Sequence, residues 1–297
     1  MMRDHAESFL VYLREGRNMS GNTVEAYLRD VKEFETFLRD RDGENLTGAS
    51  NTDLIAYLLA LKNDGKSSAT VNRKISSLRT FYRYARENGL VSEDPAAHIK
   101  APKIERKEPE YLTVAEVDSL IALPDRSAKG IRDRAILELL YATGLRVSEI
   151  IAMNKDDVNL KMGFIICTGE HGKARVIPLG RPARVALEEY LQESRGKLLR
   201  PEEHETEALF VNYTGRRATR QGLWKLLKKY AKQAGMEHKI TPQTLRNSFA
   251  AHMIQNGADL KSLQELMGHE DISATQVYLS VTRNRIKDVY DRTHPRA

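Results

Sequence analysis

The chain has 297 residues, 41% of them hydrophobic, enough for a sizeable core and by length for two domains. Lys and Arg outnumber Asp and Glu by 47 to 41, a formal charge of +6 that favours an anionic partner, while the single cysteine, Cys167, excludes an internal disulfide framework and a cysteine-rich metal site. No apolar run approaches membrane-spanning length, and the opening MMRDHAESFLVYLREG carries an acid and a histidine where a signal peptide is apolar, so a cytoplasmic protein with no membrane association is expected.

From Ala6 to about Lys100 apolar residues recur at helical spacing: Phe9, Leu10 and Leu13; Tyr27, Val31, Phe34 and Leu38; Leu54, Tyr57, Leu58 and Leu61; Ile75, Leu78, Tyr82 and Ala85. The pattern predicts four helices. Thr23, Thr52 and Thr70 stand just ahead of or within the first turns of three of them, and Gly65 and Gly89 follow two. The stretch DPAAHIKAPKIERKEPEYLT, with three prolines and dense charge, cannot continue a helix, and residues 104–109 read as the core of a linker. Beyond it Thr113 and Glu116 form a capping-box pattern, and GIRDRAILELLYATG reads as a strongly apolar helix. GFIICTG and ARVIPLG, on either side of EHGK, predict a hairpin or small sheet, and after Pro182 helical periodicity is read through to the C-terminus. The expected fold is mainly α: a helical N-terminal domain, residues 1–103, a linker, 104–109, and a mostly helical domain with a small β-sheet or hairpin, 110–297.

Two basic stripes contain no acid. One runs from Lys66 to Arg86, with Arg79, Arg83 and Arg86 on one helix face; the other runs from Arg216 to Lys232, with Lys225, Lys228, Lys229 and Lys232 opposite Leu223, Leu226, Leu227 and Tyr230. Either stripe alone is equally well explained as a solvated helix face. One in each domain favours a polyphosphate gripped by both, with each neutralised phosphate adding a salt-dependent increment to affinity.

Five segments carry a resemblance: ATGLRVSE (142–149), KARVIPLG (173–180), TPQTLRNSFAAH (241–252), LMGHEDISATQVY (266–278) and HPRA (294–297). In order and spacing they are similar to the motif series of the tyrosine recombinases, the phage-integrase family, and to its Xer branch in particular. The likeness covers essentially the whole chain, including the EDPAAHIKAPK exit from the N-terminal helices. It implies a helical, DNA-binding (core-binding) N-terminal domain and a catalytic domain. The implied reaction is strand exchange, in which a tyrosine attacks a DNA phosphodiester to give a 3′-phosphotyrosyl link and frees a 5′-hydroxyl that later attacks another strand. No cofactor and no metal are implied, and the sequence has no Gly-rich phosphate loop and no carboxylate cluster suited to magnesium. The implied partners are a double-stranded DNA recombination site and other recombinase subunits, as a homotetramer on paired sites or a heterotetramer with a related recombinase. The Xer likeness also implies work in chromosome partition, with mobile-element movement the other task of such chemistry.

Residue by residue, the resemblance implies that Tyr278 is the nucleophile. Among twelve tyrosines a packed helix residue is the ordinary reading, and it is the position nine residues after Gly268-His269 that singles this one out. Arg146 and Arg246 match the arginines that clamp the scissile phosphate, a task for which a planar bidentate fork suits phosphate oxygens. His269 matches the histidine that hydrogen-bonds the phosphate, and Glu149 and Asp271 are read as supporting or capping residues. Two positions depart from the pattern. Gln243 stands where the family has histidine; it can donate a hydrogen bond and cannot shuttle a proton. Eight residues before Pro178, where the hairpin lysine belongs, stands Glu170, so Lys173 or His171 is left to protonate the leaving oxygen. These departures motivate an alternative: a weakened member acting as an architectural or regulatory site-binding protein. A relaxing enzyme of the type IB topoisomerase kind is a third reading. The tail offers Ile286, Val289 and Tyr290 as a short apolar face for a neighbouring protomer.

Overall fold

The computed structural model describes residues 8–102, 108–169, 172–199, 206–269 and 273–278, and the chain divides into two compact units between Arg106 and Lys107. Most of the expected linker, Glu170, His171, Asp271 and the tail residues Ile286, Val289 and Tyr290 lie outside the described residues.

The first unit is built from four helical segments. α1 (residues 8–11) winds into a π turn, Tyr12–Gly16, and is followed by α2 (Gly21–Asp42), α3 (Asn51–Asn63) and α4 (Ser68–Glu87). Serines start the last three: Ser20, Ser50 and Ser67 are the N-caps, and each hydroxyl accepts a backbone N–H from three residues on. Thr23, Thr52 and Thr70 sit inside the first turns. The predicted apolar stripes meet in one core containing Phe9, Leu13, Phe34, Leu38, Leu54, Ile75, Leu78 and Tyr82.

α4 also carries a correction to the first basic stripe. Lys74 does not join a solvated face, and exposed Arg73 is not without acids, because α2 supplies them. Arg73 pairs with Asp30, Lys74 Nζ lies 3.1 Å from Asp30 Oδ1 and pairs with Glu33, and Ser77 Oγ donates to Asp30 at 2.7 Å. Asp30 is 0% exposed, so every one of these partners offsets the cost of removing a carboxylate from water.

The second unit begins with α5 (Val114–Ala122), started by the predicted capping box: Glu116 N–H donates to Thr113 Oγ1 at 3.2 Å and Thr113 N–H to Glu116 Oε2 at 2.8 Å. α6 (Ala128–Thr143) runs through the core, with Ala135, Ile136, Leu137, Leu139 and Leu140 all buried. It stops at Gly144, whose φ of +59° is left-handed and whose Cβ, if it had one, would lie 2.4 Å from a Phe249 ring carbon. α7 (Val147–Ala152) follows at once. The antiparallel sheet has the order β1 (Val158–Asn159), β2 (Phe164–Thr168), β3 (Ala174–Pro178), with Ile165 opposite Ile177 and Cys167 opposite Arg175.

α8 (Arg181–Glu189) continues through a π turn, Tyr190–Ser194, into α9 (Arg195–Leu198). Helix does not persist from there, contrary to the periodicity reading. Residues 206–219 form turns with isolated bridges, Asn154 to Ala208 and Val211 to Arg217, and bury Leu209, Phe210 and Val211. A short, continuous apolar run reads alike in a helix and in a buried extended segment. α10 (Arg220–Gln233), α11 (Pro242–Gln255), α12 (Leu260–Met267) and α13 (Ser273–Gln276) complete the unit. Among the described residues no helix is long and apolar enough to cross a membrane, and no cluster of potential metal ligands occurs.

Candidate active site

The site is assembled from local stop and start signals. Gly144 ends α6 and leaves Arg146 as the residue that opens α7; the Glu149 carboxylate accepts the Arg146 backbone N–H at 2.7 Å. Thr241 caps α11, accepting from Thr244 N–H at 3.0 Å, and Pro242 occupies its first turn, which places Arg246 one turn into a helix buried on nearly every side. Gly268, at φ +61°, closes α12: His269 N–H reaches back to the Gln264 carbonyl at 3.1 Å, and Gln264 Nε2 donates to the His269 carbonyl at 3.0 Å. The Gly-His pair is thus a helix stop that presents an imidazole.

Arg246, only 4% exposed, joins these three ends. Its Nη1 donates to the Gly144 carbonyl, and its Nη2 donates to the Met267 carbonyl at 2.7 Å and to His269 Nε2 at 2.8 Å. A guanidinium only donates, so Nε2 accepts and the ring proton is on Nδ1, which donates to Thr275 Oγ1 at 2.8 Å. Burial, reinforced by Arg246, Arg146 and Arg175, pushes the His269 pKa down to about 4, so the ring is neutral at pH 7. Burial and Arg146 likewise pull Arg246 down to about 10, which leaves it charged.

Arg146 stands at the wall shared by two adjoining cavities. One, of about 670 Å³, is lined by Arg146, Glu149, Lys173, Arg175 and His269; the other, of about 600 Å³, by Arg146, Gln243, Arg246, Arg220 and Trp224. Lys173 therefore reaches the same cavity as the histidine. Gln243 lies beside the arginines while its Nε2 donates to Asn247 Oδ1 at 2.9 Å. Tyr278 is set back from both cavities. It is 2% exposed among Phe249, Ile254, Leu263 and Met267, and its hydroxyl donates to Asn247 Oδ1 at 2.8 Å. Burial raises its pKa and Arg246 only partly opposes this, so the phenol is protonated at rest.

Arg175 is a third cation that the sequence reading passed over. Its Nη1 donates to Glu149 at 3.0 Å and its Nε to the Leu266 carbonyl at 2.9 Å, while its Nη2 is a buried donor with no partner among the described residues. A Cβ on Gly268 would lie 2.8 Å from this guanidinium, which explains why glycine precedes the histidine. The signal for Arg175 was present: it shares the buried face of β3 with Ile177, where an arginine must have an internal task. Glu149 serves both Arg146 and Arg175. Its burial is outweighed by the Arg175 bond and the Arg146 amide, and its pKa is lowered.

On the helix surfaces Arg83 and Arg86 of α4 are exposed, while Arg79 is half-buried and donates to the Ile99 carbonyl. Lys225, Lys228, Lys229 and Lys232 are exposed along α10 opposite buried Leu223, Leu226, Leu227 and Tyr230. Lys228 lies 5.4 Å from the Trp224 ring centroid and Lys229 4.6 Å from that of Tyr230. Arg217, counted in the second stripe, instead donates to the carbonyls of Ile151, Ala152 and Met153 at the end of α7.

Residues 110–285 match the phage integrase family, and residues 6–89 match the phage integrase N-terminal SAM-like domain. The chain is 46% identical to Tyrosine recombinase XerD of Oceanobacillus iheyensis over 298 residues, covering all of both chains. It is 42% identical to Tyrosine recombinase XerC of a Roseiflexus species over 94% of this chain and 90% of that one. In fold it is similar to the XerH site-specific recombinase bound to a palindromic difH substrate, with a TM-score of 0.76 at 20% identity over 96% of this chain and 83% of the other. A buried arginine that gathers a helix stop, a helix start and a neutral histidine is what the matched sequence builds here, and the chain belongs to the phage integrase family as a Xer-like tyrosine recombinase.

Proposed function

We propose that the chain is a site-specific DNA recombinase in which Arg146 and Arg246 hold the scissile phosphate, His269 hydrogen-bonds it and Tyr278 attacks it. The carrying observation is the convergence of Arg146, Arg246 and His269, from three separate segments, on adjoining cavities whose carboxylates, among the described residues, are Glu149 and Glu265. A phosphoryl transition state gathers negative charge on its equatorial oxygens, and fixed donors aimed there lower the barrier.

In the reaction the Tyr278 oxygen bonds to phosphorus and loses its proton, the bond from phosphorus to the 5′-oxygen breaks, and that oxygen takes up a proton, for which Lys173 is the candidate donor. The 5′-hydroxyl of another strand reverses these steps. Arg246 already bonds His269 Nε2, so engagement of a phosphate requires those two groups to share or exchange their hydrogen bonds. Tyr278 must likewise leave Asn247.

Double-stranded DNA is the partner, gripped by Arg79, Arg83 and Arg86 in a domain spanning residues 1–103 and by Lys225, Lys228 and Lys229 in a catalytic domain spanning 110–297, with 104–109 as linker. The active assembly is a tetramer on paired sites, formed by this chain alone or with a related recombinase, and it works in the cytoplasm.

A nicked suicide substrate tests the assignment. Wild-type protein should form a covalent adduct, and Tyr278→Phe should abolish it while leaving DNA binding within a few fold, because no charge is lost. An adduct with the phenylalanine variant assigns the nucleophile elsewhere. Lys173→Ala should cleave slowly and recover on a substrate with a 5′-bridging sulfur, a leaving group that needs no proton; no recovery removes Lys173 as the acid.

A further inference from the structure

Asn247 had no task in the sequence reading, yet it touches the candidate nucleophile. Its Oδ1 accepts the Tyr278 hydroxyl at 2.8 Å and Gln243 Nε2–H at 2.9 Å, and its Nδ2 donates to the Glu110 carbonyl at 2.9 Å. The last bond fixes the amide. A carbonyl can only accept, so Nδ2 faces Glu110 and Oδ1 is left for the phenol. The next residue on α11 repeats the tie: Ser248 Oγ accepts Leu112 N–H at 2.9 Å. Residues 110–112, which begin four positions beyond the division between the two units, are thus laced to the helix that also carries Arg246.

An amide oxygen accepts a hydrogen bond but is too weakly basic to take a phenol's proton, so this is not a general-base arrangement. It holds a neutral phenol at 2% exposure, withdrawn from the cavities lined by Arg146. We propose that Asn247 is a positioning residue that retains Tyr278 in a resting place, with Gln243 steadying the amide oxygen and the Glu110 carbonyl tying its release to movement of the segment entering the second unit. This rests on Tyr278 being the nucleophile. It gives Gln243 a use its chemistry permits: it needs one donated hydrogen bond and no proton transfer.

The test uses the full chain at saturating concentration on a half-site suicide substrate. Removing one hydrogen bond from a resting state shifts its population about three- to tenfold, so Asn247→Ala should raise the single-turnover adduct rate by about that factor, with DNA affinity unchanged within about twofold. A merely structural asparagine gives a slower adduct when replaced. In protein without DNA, nitration of Tyr278 by tetranitromethane should be much slower than that of Tyr213, which is 74% exposed, and should quicken several-fold in Asn247→Ala. An unchanged or reduced adduct rate in a variant with a normal unfolding midpoint overturns the proposal. Should Asn247→Ala fail to fold, the wild-type protein decides: nitration of Tyr278 as fast as Tyr213 overturns the resting place, and protection supports it. Failure of the nucleophile assignment shows separately, as an adduct that survives Tyr278→Phe.

Discussion

The two units each hold a partly buried knot of charge, and they balance it differently. In the first unit Asp30 and Glu33 meet Arg73 and Lys74, two acids against two cations, with Ser77 completing the set. In the second, among the described residues, Arg146 and Arg175 pair with one carboxylate, Glu149, while Arg246 bonds to carbonyls and to His269, which is held neutral. The first knot is complete as folded. Among the described residues the second sets more cations than carboxylates along its cavities, Arg146, Lys173, Arg175, Arg220 and Arg246 against Glu149 and Glu265, and an excess of buried cation is tolerated where an anionic ligand supplies the missing charge. Charge balance, rather than the number of basic residues, separates a structural cluster from a functional one.

The largest expected effect breaks the balanced knot. Asp30→Ala leaves buried Lys74 with only the half-exposed Glu33 as its carboxylate and should lower unfolding stability by about 3–5 kcal/mol, read by urea denaturation. A decrease below about 1 kcal/mol would show that Lys74 finds water or that Glu33 suffices.

Removing a cation from the unbalanced knot should do the reverse. Arg146→Ala is expected to slow single-turnover cleavage by roughly 100- to 1000-fold while changing stability by less than about 0.5 kcal/mol, since its side chain is 45% exposed and its hydrogen bond to Glu149 is long, at 3.4 Å. Equal damage to both readouts would make Arg146 structural and erase the contrast.

The neutral histidine sharpens it further. The folded-state pKa of His269 is depressed from 6.5 to about 4, so between those values the unfolded chain binds the proton that the folded chain refuses. Its contribution to stability is complete above about pH 6.5 and is lost as pH falls towards 4. The thermal midpoint should drop between pH 7.5 and 5 in wild type and less steeply in His269→Gln; parallel curves would place the titration elsewhere, with His252, also depressed by burial, the other candidate.

The smallest effect concerns the surface. Neutralising Lys225, Lys228, Lys229 and Lys232 should leave folding intact and flatten the salt dependence of DNA binding by roughly one unit for each phosphate no longer neutralised. A slope that does not change makes α10 a solvated face, and the excess charge at the candidate site then stands alone.

Much of this was open to reading before any fold was known. Apolar spacing located the four N-terminal helices, the capping box at Thr113 and Glu116 located α5, and the short β-rich runs on either side of EHGK located the hairpin. Residues 206–219 were misread because four consecutive buried apolar residues, 208–211, carry no period of their own. The stripe from Lys66 to Arg86 has no acid along the chain, yet Arg73 and Lys74 within it are paired, because their acids belong to another helix. Arg175 was missed although strand alternation marked it, and Asn247 left no mark beyond its place four residues after Gln243.

The sequence by itself determined what depends on near neighbours: helices, caps, the glycine stops at Gly144 and Gly268, and the order of the motifs. Those features are settled by interactions within a turn or two, so composition and spacing report them. Which cations are neutralised, which imidazole nitrogen holds the proton and what restrains Tyr278 were decided only by tertiary structure. Lys74 meets Asp30 across 44 positions, Tyr278 meets Asn247 across 31, and Arg246 meets Gly144 across 102. Electrostatic and hydrogen-bond energies act over a few ångströms of space whatever the separation along the chain, so packing alone chooses the partner.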